Sequence, residues 1–111
     1  MNKKHIGASV FNDVKRWKKD NPAFRKAVDE YVEKAKLAMM LKEVRQKEGM
    51  SQTELAEKAK VPQSVIARIE TCSSRTLPRL DLFNHILNSV GYETFIVARK
   101  NGRKIEIALA A

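Results

Sequence analysis

Side chains that carry catalytic chemistry are scarce in this chain of 111 residues, which holds two histidines, His5 and His85, and a single cysteine, Cys72. His5 falls in an unpatterned start and His85 within a helical apolar pattern. No Ser/His/Asp, Cys/His or metal-spaced set follows from them, so no enzyme, metal or cofactor is expected. One cysteine allows neither an intrachain disulfide nor a four-cysteine zinc site and is compatible with a reducing compartment. The chemistry on offer is electrostatic. With 22 Lys and Arg against 13 Asp and Glu the chain carries +9, which favours a polyanionic partner, nucleic acid first. The excess sits towards the ends: residues 1–20 hold six basic and two acidic groups, whereas residues 49–71 hold three of each. Lys15, Arg16, Lys18 and Lys19 suit a solvated face and an anion contact equally.

The length suits one domain with a modest core. Nowhere is there an 18-residue apolar stretch, and lysines 3 and 4 have no apolar run behind them, so a soluble, cytoplasmic protein without a membrane partner is expected. Ser9 is placed to cap a short helix with Val10, Val14 and Trp17 on its apolar side. Asn21-Pro22 then forms an N-cap followed by proline at the first helical position, where a missing N–H costs nothing. From there to Gly49 no further Pro or Gly interrupts a helix. Phe24, Val28, Tyr31, Ala35 and Ala38 make one stripe, and Leu37, Leu41 and Val44 a second, offset one. An unbroken helix of this length is roughly 40 Å long, so it either breaks near residues 34–36 or projects from the domain.

Gly49 suits a helix end, and Ser51 with Glu54 three residues on makes a capping box for a short helix running to about Ala59. Pro62 opens another, to Glu70, with Val61, Ile66 and Ile69 as buried contacts. After a polar loop at residues 72–76, Leu80, Phe83, Ile86, Leu87 and Val90 form a helical stripe that stops at Gly91. The pattern then changes to strand: residues 92–99, Asn101-Gly102 as a type I′ turn, and residues 104–109. This register sets Lys100 opposite Arg103, Arg99 opposite Lys104, Ala98 opposite Ile105 and Ile96 opposite Ile107. Four cations at one tip are either well solvated or kept for an anion. The strand Phe95-Ile96-Val97-Ala98 is apolar on both faces, which an isolated hairpin cannot bury. Phe95, Ile96, Val97, Ile105 and Ile107 are therefore candidates for covering by a second chain.

Two short helices joined by a tight turn need a small residue where they cross and apolar residues at fixed offsets, which Ala56, Val61, Ile66 and Ile69 supply. The stretch Ser51-Gln-Thr-Glu-Leu-Ala-Glu-Lys-Ala-Lys-Val-Pro-Gln-Ser-Val-Ile-Ala-Arg-Ile-Glu70 resembles the Xre/Cro-type helix-turn-helix, and the resemblance extends over about residues 37–91. It implies a mainly α, lambda-repressor-like helix-turn-helix bundle, here with an N-terminal helical extension (residues 1–36) and a C-terminal β-hairpin (residues 92–111). It further implies that Gln52 and Thr53, at the start of the first motif helix, grip a phosphate. Gln63, Ser64, Ala67 and Arg68 on the second would enter the major groove, where Gln suits adenine, Arg guanine and Ala a thymine methyl. Arg75 matches a frequently basic loop position that contacts phosphate. One departure is Lys60, where the family commonly has glycine; a left-handed backbone there costs on the order of 1 kcal/mol. The motif itself is charge-neutral, so basic flanks or dimerisation must supplement it.

Asp20-Asn-Pro-Ala-Phe-Arg25, the long helix and Leu41-Lys-Glu-Val-Arg45 together are similar to antitoxins of the HigBA type. That resemblance implies a bacterial, homodimeric antitoxin that binds operator DNA, represses its own operon and neutralises a RelE/HigB-type mRNA-cleaving toxin. Val10, Val14, Trp17, Phe24, Val28 and Tyr31 would then cover the toxin; the other reading of the stripe is a core of this chain or its dimer. The basic arm would repel a basic toxin and suits DNA instead. A free-standing Cro-like repressor without a toxin is the alternative function. The final Ala108-Leu-Ala-Ala111 is similar to the end of the tmRNA-encoded degradation tag, and also suits a plain strand end.

Overall fold

In the computed structural model, which describes residues 21–109, the chain builds helix α1 (Pro22–Lys47), α2 (Gln52–Ala59), α3 (Gln63–Thr71), α4 (Leu80–Ser89) and an antiparallel hairpin of β1 (Phe95–Lys100) and β2 (Arg103–Ala108). The mainly helical architecture with a C-terminal hairpin is the expected one. The short helix expected around Val10, Val14 and Trp17 lies outside the described residues.

Local signals set most boundaries. Asn21 caps α1 by accepting the Phe24 N–H at 3.0 Å, with Pro22 in the first turn. Ser51 and Glu54 complete a reciprocal capping box: the Glu54 N–H donates to Ser51 Oγ (3.1 Å) and the Ser51 N–H to Glu54 Oε1 (3.0 Å). Gly49, at φ +65°, supplies the left-handed residue between α1 and α2 that other residues adopt with strain. Lys60 takes the same conformation without being glycine, φ 58° and ψ 44°, and closes α2. The adjacent Val61 N–H returns to Ala56 O at 3.0 Å, the bond that ends a helix in this way.

Helices of eight and nine residues are marginal alone. Tertiary burial holds them. Leu41, Leu55, Ile66 and Ile86 are fully buried at the centre, surrounded by Val44, Ala56, Ala59, Ile69, Phe83 and Leu87. Each large side chain there contributes about 1.5 to 3 kcal/mol over its exposed state. Small Ala56 and Ala59 let helices approach, so that α3 packs against both α1 and α2 while α4 packs against α2. His85 belongs to this scaffold: its Nε2 lies 2.7 Å from Ala59 O, tying α4 to the end of α2.

The alternative left open for the long helix resolves as projection. It runs 26 residues without a break, and its buried residues, Ala38, Leu41 and Val44, all lie in the C-terminal half. Residues 22–37 have no fully buried member. Lys34 ties this part of the helix to the loop after α3, its Nζ donating to Arg75 O at 2.9 Å.

Three details differ from expectation. The strand begins at Phe95, because Tyr92 turns back onto the core and its N–H closes the end of α4 on Leu87 O at 3.1 Å. Leu80 is 53% exposed, since the first turn of α4 lies beyond the edge of the core although it keeps the helical spacing to Phe83 and Leu87. Val61 is only half-buried, at the rim of the α2–α3 turn. The hairpin register is as expected at all four pairs read from the Asn-Gly turn, and Asn101 and Gly102 both have positive φ (47° and 79°), as a type I′ turn requires.

Candidate nucleic-acid interface

The site is built on a buried ion pair. Arg45 of α1 grips Glu70 of α3 with two parallel bonds, Nε to Oε2 and Nη2 to Oε1, each 2.9 Å. Its remaining Nη1 donates to Met50 O at 3.0 Å, in the turn before α2. The Glu70 side chain is 1% exposed and that of Arg45 18%. Burying a carboxylate is tolerated only when its lone pairs are taken, and the planar guanidinium fork is the group that does so. The hydrogen bonds that Arg45 donates to Glu70 raise its pKa above the usual value, burial opposes this, and the attraction of the carboxylate adds to it. The stabilisation from an upward shift is fully present below the unfolded pKa, so the contribution of Arg45 does not vary across the neutral range.

Glu70 passes this order outwards. Its Oε1 accepts from Gln52 Nε2 at 3.2 Å, and Gln52 Oε1 accepts from Gln63 Nε2 at 2.9 Å. A carboxylate can only accept, so Gln52 must turn its amide nitrogen inward and its oxygen to Gln63. Gln63 must in turn donate. One amide N–H and the carbonyl oxygen of Gln63 are left for a ligand, the pair that matches N7 and N6 of adenine. The relay therefore fixes the amide polarity of an exposed side chain from a charge in the core.

Gln63, Ser64 and Arg68 are exposed, and Ala67 is half-buried, all on α3, whose opposite side buries Ile66, Ile69 and Glu70. Thr53 is exposed at the first turn of α2 beside Gln52, where unpaired backbone N–H groups favour an anion. Arg75 is exposed in the loop after α3, its backbone held by Lys34. The seven residues thus fall on the α2 start, the outer side of α3 and the loop that follows. Gln52 departs from a simple phosphate grip, because both ends of its amide are engaged within the chain; only its second N–H remains for a phosphate.

Sequence reasoning gave Arg45 and Glu70 no role. The signal was present in Glu70, a carboxylate four residues after Ile66 and directly after Ile69, hence on the edge of a buried stripe where a charge demands a partner. Of the stripe proposed to meet a protein, Phe24 and Val28 are half-buried and Tyr31 is 63% exposed, while Val10, Val14 and Trp17 lie outside the described residues. No group of His, Cys, Asp and Glu among the described residues is arranged to hold a metal ion, and no helix among them is long and apolar enough to cross a membrane.

None of the curated proteins matches the chain. Residues 41–82, from the buried half of α1 through the first turn of α4, match the family model described as Helix-turn-helix.

Proposed function

We propose that the chain is a sequence-specific repressor that lays α3 in the major groove, and that its projecting α1 carries a protein partner, making it an antitoxin that represses its own operon. Gln63, Ser64, Ala67 and Arg68 face base edges; Gln52, Thr53 and Arg75 hold phosphates. The observation that carries the DNA reading is the Arg45–Glu70–Gln52–Gln63 relay, which spends a buried charge on orienting one exposed amide. Orientation of that kind matters where a donor and an acceptor must meet a fixed pattern, and has little use on a solvated helix face.

The toxin-binding half of the reading draws on the N-terminal half of α1, where Phe24, Val28 and Tyr31 recur at helical spacing, the first two half-buried and Tyr31 63% exposed. An amphipathic helix of this kind suits a groove on a partner protein, here a RelE/HigB-type mRNA-cleaving toxin. The free-standing Cro-like repressor is the second reading, favoured by the match of the helix-turn-helix segment alone.

Two measurements test this. Selection from a random duplex library should enrich one site with related half-sites; no enrichment overturns the DNA reading. Co-expression with the neighbouring genes should yield a stoichiometric small partner on a tagged chain. An enriched site without any such partner leaves the free-standing repressor.

A further inference from the structure

Lys34 lies one helical turn before Ala38, two before Leu41 and three before Arg45 on α1. At 3.6 residues per turn these positions stay within about 40° of one line, so the four residues share the face of the helix that packs against α3. Two cations on that face, roughly 17 Å apart along the axis, each reach across to the candidate interface. Arg45 holds Glu70 and, through Gln52, the amide of Gln63 at the start of α3. Lys34 donates from Nζ to Arg75 O at 2.9 Å, just past the end of α3. That second bond falls where the backbone has least support of its own. The N–H groups of Cys72 and Ser73 close α3, the Phe83 N–H opens α4 on Arg79 O, and among the described residues no backbone–backbone bond involves residues 74–78. Glu30, one turn before Lys34, is the ordinary ion-pair partner for a helical lysine, and it lines the same depression as Lys34 and Arg75. The half-buried ammonium takes the loop carbonyl instead.

We propose that Lys34 is a positioning residue for DNA: it fixes the loop so that Arg75 meets a backbone phosphate in step with the base-reading side of α3. This rests on the DNA-binding reading above. Phosphate contacts set the register of a protein on the duplex and base contacts read the sequence, so the two must keep a constant offset. The rigid helix α1 supplies that offset, with Gln63 referred to it at Arg45 and Arg75 referred to it at Lys34. Without the lysine, residues 74–78 sample many placements of Arg75, and each phosphate contact has to order them afresh against their conformational entropy. The bond removes that freedom before DNA arrives. It also gives a part in recognition to a residue that precedes the matched segment 41–82.

Fluorescence anisotropy of the full chain is the test, on the duplex selected from the random library and on a scrambled duplex of equal length. Lys34→Met keeps the stem and loses the donor; it should weaken binding to both duplexes by about fivefold, the worth of one hydrogen bond, with helical circular dichroism unchanged. Lys34→Arg restores a donor and should recover most of the loss. In the Arg75→Ala background Lys34→Met should have no further effect, because the contact it positions is gone. In the free chain, heteronuclear NOE values at the Arg75, Thr76 and Leu77 amides should be those of ordered backbone and should fall in Lys34→Met. Equal losses with and without Arg75 would make Lys34 an independent charge beside the DNA and overturn the positioning role. Wild-type affinity in Lys34→Met, or a loop already mobile in the wild type, overturns it as well, and all three results leave the DNA reading standing. A wild type that enriches no duplex overturns the DNA reading and this inference together.

Discussion

Arg45 and Glu70, twenty-five residues apart, share two parallel hydrogen bonds of 2.9 Å in the interior, and the carboxylate they bury is the anchor from which the exposed amide of Gln63 is oriented. Stability and recognition are coupled through this pair. Truncating Arg45 leaves a carboxylate 1% exposed without its cation, which costs about 3 to 5 kcal/mol. Arg45→Ala should therefore lower the urea midpoint sharply, and Arg45→Lys should recover little, because one ammonium cannot make the three bonds of the fork. Loss of under 1 kcal/mol in Arg45→Ala would show that the pair is dispensable.

The relay makes a separate prediction for DNA. Gln63→Ala and Arg68→Ala should each cost about 1 to 3 kcal/mol on the selected site and relax sequence preference at one position. Gln52→Ala should also weaken binding, chiefly by freeing the Gln63 amide to turn. In a double-mutant cycle the two glutamines should then be non-additive, with Gln52→Ala costing little once Gln63 is gone. Arg75→Ala should weaken binding to all sequences alike and reduce the salt slope by about 1. Additive effects for Gln52 and Gln63, measured by fluorescence anisotropy, would mean that they act as independent contacts.

Lys60 gives a test on the turn itself. Its φ of 58° is strained for a side chain with a Cβ. Lys60→Gly removes that strain, offset in part by the greater freedom of the unfolded chain, and should stabilise the domain by about 1 kcal/mol. For a domain of this size that is a rise of roughly 4 to 8 °C in Tm. Lys60→Val, β-branched in the same conformation, should move Tm the other way. A fall in Tm with glycine would show that the lysine side chain makes a compensating contact.

What was legible in the sequence follows the range of the interactions. Ser51 with Glu54, Asn21 with Pro22 and the Asn101-Gly102 turn act within three or four residues, and each appears where its pattern places it. The outward set on α3 was legible for the same reason, since Ile66 and Ile69 define the inward side. The relay was not, because Arg45, Gln52, Gln63 and Glu70 meet only after α1, α2 and α3 have packed. Leu80 shows the limit of periodicity: it keeps step with Phe83 and Leu87, yet the first turn of α4 lies beyond the edge of the core, and the residue stays 53% exposed. Whether the long helix would break or project was likewise decided by what packs on its C-terminal half.

The projecting part of α1 supplies the prediction that separates the two readings of function. Tyr31 is 63% exposed, on the half of the helix that contributes nothing to the buried core. A surface change at such a place moves stability by no more than about 0.5 kcal/mol. Tyr31→Asp should thus leave both the urea midpoint and the affinity for the selected DNA site unchanged. If the helix carries a toxin in a groove, the same substitution places a charge in an apolar contact and should abolish co-purification of the partner, together with protection from its mRNA cleavage in cells. Phe24→Asp should act in the same direction. A partner that still co-purifies with both variants does not use this stripe, and the N-terminal half of α1 would then serve the DNA-binding domain, through the bond from Lys34 to the backbone of Arg75.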